Sequence, residues 1–147
     1  MEICSIGSSG ITARQFFELL TKVEVTCIVD TRVHASSQLA GFTRKESLEY
    51  FADEILDIPY VHELALAPEA HSLKAYRSQE LTWESYEAQY LSLLTKRDVS
   101  SSLDMSTWGV RPVFLCSERT ADHCHRRLAA SYLAETRLDL VTSVRHL

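Results

Sequence analysis

Short apolar runs alternate along the chain with stretches whose apolar residues recur every three or four positions. Ile3–Ile6 is a brief apolar run stopped by Gly7-Ser8-Ser9-Gly10, the pattern of a strand entering a tight turn. Thr12-Ala13-Arg14-Gln15 matches a helix capping box, and Ala13, Phe16, Phe17, Leu20 and Val23 follow at helical spacing. Val25–Val29 is continuous and β-branched, as a strand covered on both faces requires. The polar stretch Thr31–Gly41 is too long for a tight turn. Thr43-Arg44-Lys45-Glu46 is a second capping box, with Leu48, Phe51, Ala52 and Ile55 on one helical face. Ile58–His62 predicts a short strand, Glu63–Gln79 an irregular or weakly helical segment, and Thr82–Arg97 a helix. Ser100–Gly109 reads as a loop, Pro112–Cys116 as a buried strand, Asp122–Arg137 as a helix and Leu140–Val144 as a last strand.

Strands alternating with helices imply right-handed crossovers and a mostly parallel sheet covered on both faces. The expected fold is a single three-layer α/β domain, Rossmann-like or flavodoxin-like, spanning residues 1–147. Its length of 147 residues suits one domain with a core that needs no staples. Apolar residues at 46% and charged residues at 24% exclude a disordered, collagen-like or coiled-coil chain. No apolar run approaches the roughly 18–20 residues of a membrane span, so no membrane partner is expected. MEICSIGSSG lacks the basic and apolar regions of a signal peptide, which points to the cytoplasm.

Ligands of such sheets bind beyond the carboxyl ends of the strands, which directs attention to the residues after Ile6, Val29 and Cys116. Gly7, Ser9 and Gly10 could let backbone N–H groups approach a phosphate or carboxylate, or form a plain turn. The motif is neither a P-loop nor GxGxxG. Asp30-Thr31-Arg32 sets a carboxylate and a guanidinium at a strand end, where both are costly to desolvate unless paired or used. The densest chemistry follows Leu115, where Cys116, Glu118, Arg119, Asp122, His123, Cys124, His125, Arg126 and Arg127 fall within twelve residues. With Asp122 as N-cap, Cys124 and His125 enter the first helical turn, where the helix end and Arg126 favour a thiolate.

Charge supports the same region. The formal net charge is −5, which argues against a broadly basic nucleic-acid binder. Residues 110–147, however, hold 6 Arg against 4 Asp and Glu, with three histidines besides, so this quarter could attract an anion. Of the four cysteines, Cys4 and Cys27 sit in apolar runs and read as small buried hydrophobes. The aromatic face Trp83, Tyr86, Tyr90 reads as core, and His62 and His71 as solvated loop residues. A cysteine phosphatase is excluded, because six positions after Cys116 stands Asp122 and six after Cys124 stands Ala130. A zinc site could draw on Cys116, Cys124 and His123 or His125, but the spacing matches no common finger, and no metal is assigned.

Ser5-Ile6-Gly7-Ser8-Ser9-Gly10, Val29-Asp30-Thr31-Arg32, and Leu115-Cys116-Ser117-Glu118 followed by Cys124-His125-Arg126 resemble the domain-of-unknown-function 488 family. Its members carry a "TIGYSG"-like start, an "LVDVR"-like strand end, an "LLCAE" strand end and a "CHR" helix start. Order and spacing agree over essentially the whole chain, and the C-E…CHR block is the specific part. Ser8 stands where such proteins often have an aromatic, and Leu64-Ala65-Leu66-Ala67-Pro68 replaces a Gly-rich turn. The resemblance implies a Rossmann-like domain with a polar site holding these Cys, Glu, His and Arg residues, and it supplies no reaction.

Three readings of function follow. One is an enzyme acting on a small anionic substrate, such as a nucleotide or nucleic-acid end. Glu118, Cys116, Cys124, His125 and Asp30 are then candidate catalytic groups, and Gly7, Ser9, Gly10, Arg32 and Arg126 candidate substrate ligands. The second is a non-catalytic ligand-binding or redox-sensing module. The third is a structural ion-pair network at the strand ends. Rhodanese-like sulfur transfer is a further alternative, disfavoured by Glu118 and Asp122, which would repel a thiosulfate-like anion. The sequence assigns neither a cofactor nor an oligomeric state.

Overall fold

The computed structural model describes residues 1–36 and 41–147; part of the Thr31–Gly41 connection, residues 37–40, lies outside them. Among the described residues, five parallel strands form one sheet: β1 (Glu2–Gly7), β2 (Cys27–Asp30), β3 (Tyr60–His62), β4 (Pro112–Cys116) and β5 (Ser143–His146), in the order β3-β2-β4-β1-β5. The helices are α1 (Ala13–Val23), α2 (Lys45–Phe51), α3 (Ala70–Arg77), α4 (Trp83–Lys96), α5 (Val99–Ser102) and α6 (His125–Thr136). This is the three-layer Rossmann- or flavodoxin-like arrangement that the alternation predicts.

The strand pleat sorts side chains into two cores. Ile3, Cys27, Val29 and Phe114 face Tyr90, Leu94 and Leu133 on one side. Cys4, Ile6, Ile28, Val113 and Leu115 face Phe16, Phe17, Leu20 and Leu48 on the other. Cys4 and Cys27 are fully buried among these apolar groups, as expected, and burial pushes the Cys27 thiol up to about 12. The Thr12 capping box forms as predicted, with Thr12 Oγ1 accepting from the Gln15 amide and Gln15 reaching back to the Thr12 amide.

Several boundaries differ from expectation for local reasons. Thr43 closes a short 3₁₀ turn, so α2 starts from Arg44, whose side chain makes no cap bond. The segment read as weakly helical holds a 3₁₀ turn at Leu64–Leu66 and then α3. Helix α5 occupies the start of the predicted Ser100–Gly109 loop. Strand β5 starts three residues and ends two residues later than predicted, with Ser5 Oγ held 2.7 Å from His146 Nδ1. The correction that matters most for the site is the start of α6. His123 adopts a left-handed φ of 53°, and Cys124, at φ −130° and ψ 136°, is the N-cap in place of Asp122. His125 is therefore the first helical residue.

Strand β4 lies between β2 and β1, with Cys116 beside Gly7 and Leu115 beside Asp30. The three strand ends singled out by sequence thus converge at the middle of the sheet's carboxyl edge.

Candidate functional site

A cleft of about 670 Å³ opens at this edge, lined by Ser9, Arg32, Arg77, Cys116, Glu118 and His125 among others. Its size suits a small-molecule ligand. At its floor, His125 Nδ1 stands 3.8 Å from Cys116 Sγ. The other ring nitrogen, Nε2, lies 3.0 Å from the Thr31 carbonyl oxygen and 3.1 Å from Thr31 Oγ1. A carbonyl only accepts, so Nε2 carries a proton and Nδ1 faces the sulfur. Thr31 Oγ1 donates its own proton to Leu115 O at 2.9 Å, which leaves it an acceptor towards the ring. The Tyr90 ring stands edge-on to the imidazole at 5.7 Å and fixes its plane.

This environment favours a charged pair. The Cys124 thiol, donating to Cys116, does most to hold Cys116 well below the ordinary thiol range. Burial opposes it, and the His125 charge and the Glu118 amide reinforce it. Burial works against charging His125, but the Cys116 thiolate and the Thr31 carbonyl outweigh it and raise its pKa. Cys124 moves the other way: its hydrogen bond to Cys116 and its burial keep it a thiol. The side-chain donors of Cys116, Cys124 and His125 all lie within 4.8 Å of one another, a soft donor set that a thiophilic cation could also occupy.

Arg126 is fully buried beneath the loop that follows β4. Its Nη1 donates to Glu118 O at 2.7 Å and to Cys124 Sγ at 3.4 Å, its Nη2 to Arg119 O at 3.3 Å, and its Nε has no partner among the described residues. It fastens the loop and sets a positive charge beside the sulfurs. On the outer side the loop is pinned by His123, whose ring lies 4.9 Å from Trp83.

Gly7 and its neighbours support the same loop. The Ser8 amide donates to Cys116 O at 3.0 Å and the Ser9 amide to Ser117 O at 3.2 Å, so these two N–H groups continue the sheet pairing. A Cβ on Gly7 would collide with the Glu118 carbonyl and come within 2.8 Å of the Arg119 carbonyl. Gly7→Ala is therefore expected to displace the loop, costing about 1–3 kcal/mol and slowing alkylation of Cys116. Urea midpoints and iodoacetamide rates on the same preparations would check both effects.

Asp30 and Arg32 form a buried ion pair. Arg32 Nε donates to Asp30 Oδ1 at 2.8 Å and Nη2 to Oδ2 at 2.6 Å, while Tyr60 OH donates to Oδ2 at 2.6 Å. Arg32 Nη2 also donates to Thr43 O at 2.6 Å, and Nη1 makes no hydrogen bond among the described residues. Asp30 does not line the cleft, whereas Arg32 does. Glu118 sits at the mouth, half exposed, bonded to Arg77 Nη2 at 2.9 Å.

The structure thus brings Cys116, Cys124 and His125 together and places Arg126 and Gly7 beneath them, with Ser9, Gly10, Arg32 and Glu118 around the opening. Sequence reasoning missed Thr31 and Arg77, whereas Tyr86 and Tyr90, read as core, are buried. Thr31 acts chiefly through its backbone carbonyl, which carries no sequence signal, although its place between Asp30 and Arg32 marked the spot. His62, read as a solvated residue, is half-buried with Nε2 2.8 Å from Arg32 O.

The model of the domain of unknown function DUF488 matches residues 12–133. The chain belongs to the DUF488 family. The matched span contains the Asp30–Arg32 strand end and the whole Cys116–Arg126 block, and it begins after the Gly7–Gly10 turn. DUF488 membership therefore covers the cysteine–histidine pair itself, while the β1 turn beneath the loop lies outside the match. No curated protein and no solved structure matches the chain significantly. No helix among the described residues is long and apolar enough to cross a membrane.

Proposed function

We propose that this protein is an enzyme acting on a small anionic substrate, such as a nucleotide or nucleic-acid end, with Cys116 as nucleophile. The observation that carries the reading is the Cys116–His125 pair, its imidazole held in one tautomer by the Thr31 carbonyl and its sulfur opening onto the cleft. A nucleophile paired with a base that a third group orients is the general pattern of covalent catalysis. His125 takes the Cys116 proton and returns it to the leaving group. Arg32, whose Nη1 makes no hydrogen bond among the described residues, and the guanidinium of Arg77 supply positive charge at the opening, with Ser9 and Gly10 at the rim. Glu118 is positioned to exchange a proton with substrate at the mouth. Asp30 positions Arg32, and Arg126 and Cys124 hold the Cys116 loop and its charge.

Iodoacetamide labelling with peptide mapping tests the nucleophile. Cys116 should label far faster than the internal controls Cys4 and Cys27, and inorganic phosphate or a nucleoside monophosphate should slow it severalfold. Turnover found in a screen of phosphorylated compounds should vanish in Cys116→Ser and fall in Glu118→Gln with the fold intact. Labelling of Cys116 no faster than that of Cys27 would overturn the proposal.

A further inference from the structure

Two cysteines meet at the floor of the cleft, and their settings differ in a way that single-nucleophile chemistry does not need. Cys116 ends β4 and lines the cleft. Cys124 caps α6 and does not line the cleft, and the two residues are equally enclosed, each 2% exposed. Their sulfurs lie within 4.8 Å of each other. The Arg126 Nη1 donor on Cys124 Sγ keeps that side chain turned towards the site. The Tyr86 hydroxyl on α4 is 1% exposed and without a hydrogen-bond partner among the described residues. Burial first, and then the Cys116 thiolate, push its pKa up, so it remains a neutral donor.

We propose that Cys116 and Cys124 are a redox couple, in which Cys116 is oxidised by a small hydroperoxide entering the cleft and Cys124 closes a disulfide with it. The inference rests on the reading of Cys116 as the cleft's nucleophile. In the first step the Cys116 thiolate attacks the terminal peroxide oxygen. An S–O bond forms, the O–O bond breaks, and the alkoxide or hydroxide leaves with the proton of His125. Cys116 is oxidised to the sulfenic acid by two electrons and the hydroperoxide is reduced to an alcohol or water. In the second step the Cys124 sulfur attacks the sulfenic sulfur. The S–S bond forms, the S–O bond breaks, and hydroxide leaves with the Cys124 proton as water. A dithiol reductant returns two electrons and two protons to restore both thiols.

The division of labour fits thiol chemistry. A readily ionised cysteine that lines a cleft, with a resolving partner beside it, is the pattern of a reversible oxidation site. A disulfide needs the sulfurs to close to about 2.05 Å, and both cysteines flank the one loop that must give way. Without the partner, the sulfenic acid would be exposed to irreversible over-oxidation.

The test treats the full chain with equimolar hydrogen peroxide at neutral pH, then alkylates it in denaturant for peptide mass mapping. Wild type should lose the mass of two hydrogens, with Cys116 and Cys124 cross-linked, Cys4 and Cys27 still alkylated, and dithiothreitol reversing the change. Cys124→Ser, in which a hydroxyl replaces the thiol donor, should instead carry one oxygen on Cys116, trapped by dimedone. Wild type that accumulates oxygen on Cys116 without the cross-link would overturn the redox couple while leaving Cys116 as nucleophile. A Cys116 that reacts neither with peroxide nor with iodoacetamide would overturn both.

Discussion

Asp30→Asn is expected to destabilise the protein by about 3–5 kcal/mol, the cost of leaving one partner of a buried ion pair uncompensated. Both side chains are enclosed, at 0% and 7% exposed. The Asp30 carboxylate accepts four hydrogen bonds, from the Arg32 amide, Nε and Nη2 and from Tyr60 OH. An asparagine would turn two N–H groups towards donors that need an acceptor, and the Arg32 charge would remain buried. Burial first, and then the Asp30 charge, keep the Tyr60 hydroxyl protonated, so it cannot take over as counter-ion. Equilibrium urea unfolding measures the cost. The double variant Asp30→Leu with Arg32→Met should recover much of it, because replacing a whole buried pair by apolar groups is often neutral. A cost below about 1 kcal/mol for Asp30→Asn would show that the pair is not what anchors this strand end. Glu118→Gln provides the contrast. Its ion pair with Arg77 is half exposed, a kind worth little to stability, so a loss of turnover there would report on chemistry and not on folding.

This contrast shows where the sequence was informative. Asp30 and Arg32 were legible as a pair of charges at a strand end, because nothing apolar explains a carboxylate directly after Cys27-Ile28-Val29. Whether they face a ligand or each other depends on Tyr60 and Thr43, which lie on other elements. The strands β2 and β4 were readable because a strand buried on both faces must be continuously apolar. Helix α3 was not, since Ser72 is its one buried residue, and a short helix with so little apolar surface is decided by tertiary packing.

The same limit applies to the site. The density of Cys, His and Arg after Leu115 marked the segment, but the N-cap was misplaced by two residues. A left-handed φ at a non-glycine residue such as His123 has only a weak sequence signature, and what accompanies it here is the ring of Trp83 on a different helix. With Cys124 as the N-cap, the two sulfurs and the imidazole come together, which the expected Asp122 start would not have placed.

That convergence makes a pH prediction. Alkylation of Cys116 by iodoacetamide is expected to inflect well below the ordinary thiol value of about 8.5, and His125→Gln should move the inflection up towards it. The groups acting on Cys116 are Cys124 and the Glu118 amide from its own loop, His125 from α6, and Tyr86 and Tyr90 from α4, with Arg126 bonded to Cys124 Sγ. Cys124, Tyr86 and Tyr90 are all pushed up and stay protonated, and a guanidinium is a permanent charge. The profile therefore belongs to Cys116 and His125, which titrate as a coupled pair. The inflection is the readout and not the rate, because a less basic thiolate is also a weaker nucleophile. Stability should follow with definite signs. The lowered Cys116 pKa contributes stability that is present above the unfolded thiol value and lost as pH falls through the folded one. The raised His125 pKa contributes stability that is present below about 6.5 and lost as pH rises through the folded value. The stabilising ion pair thus occupies the window between the two folded pKa values, and Cys116→Ser should lose most, relative to wild type, inside that window. Urea midpoints for both proteins from mildly acidic to mildly alkaline pH measure the difference. A gap between the two that does not change with pH would mean that Cys116 and His125 meet as neutral groups, and the nucleophile would then need another source of activation.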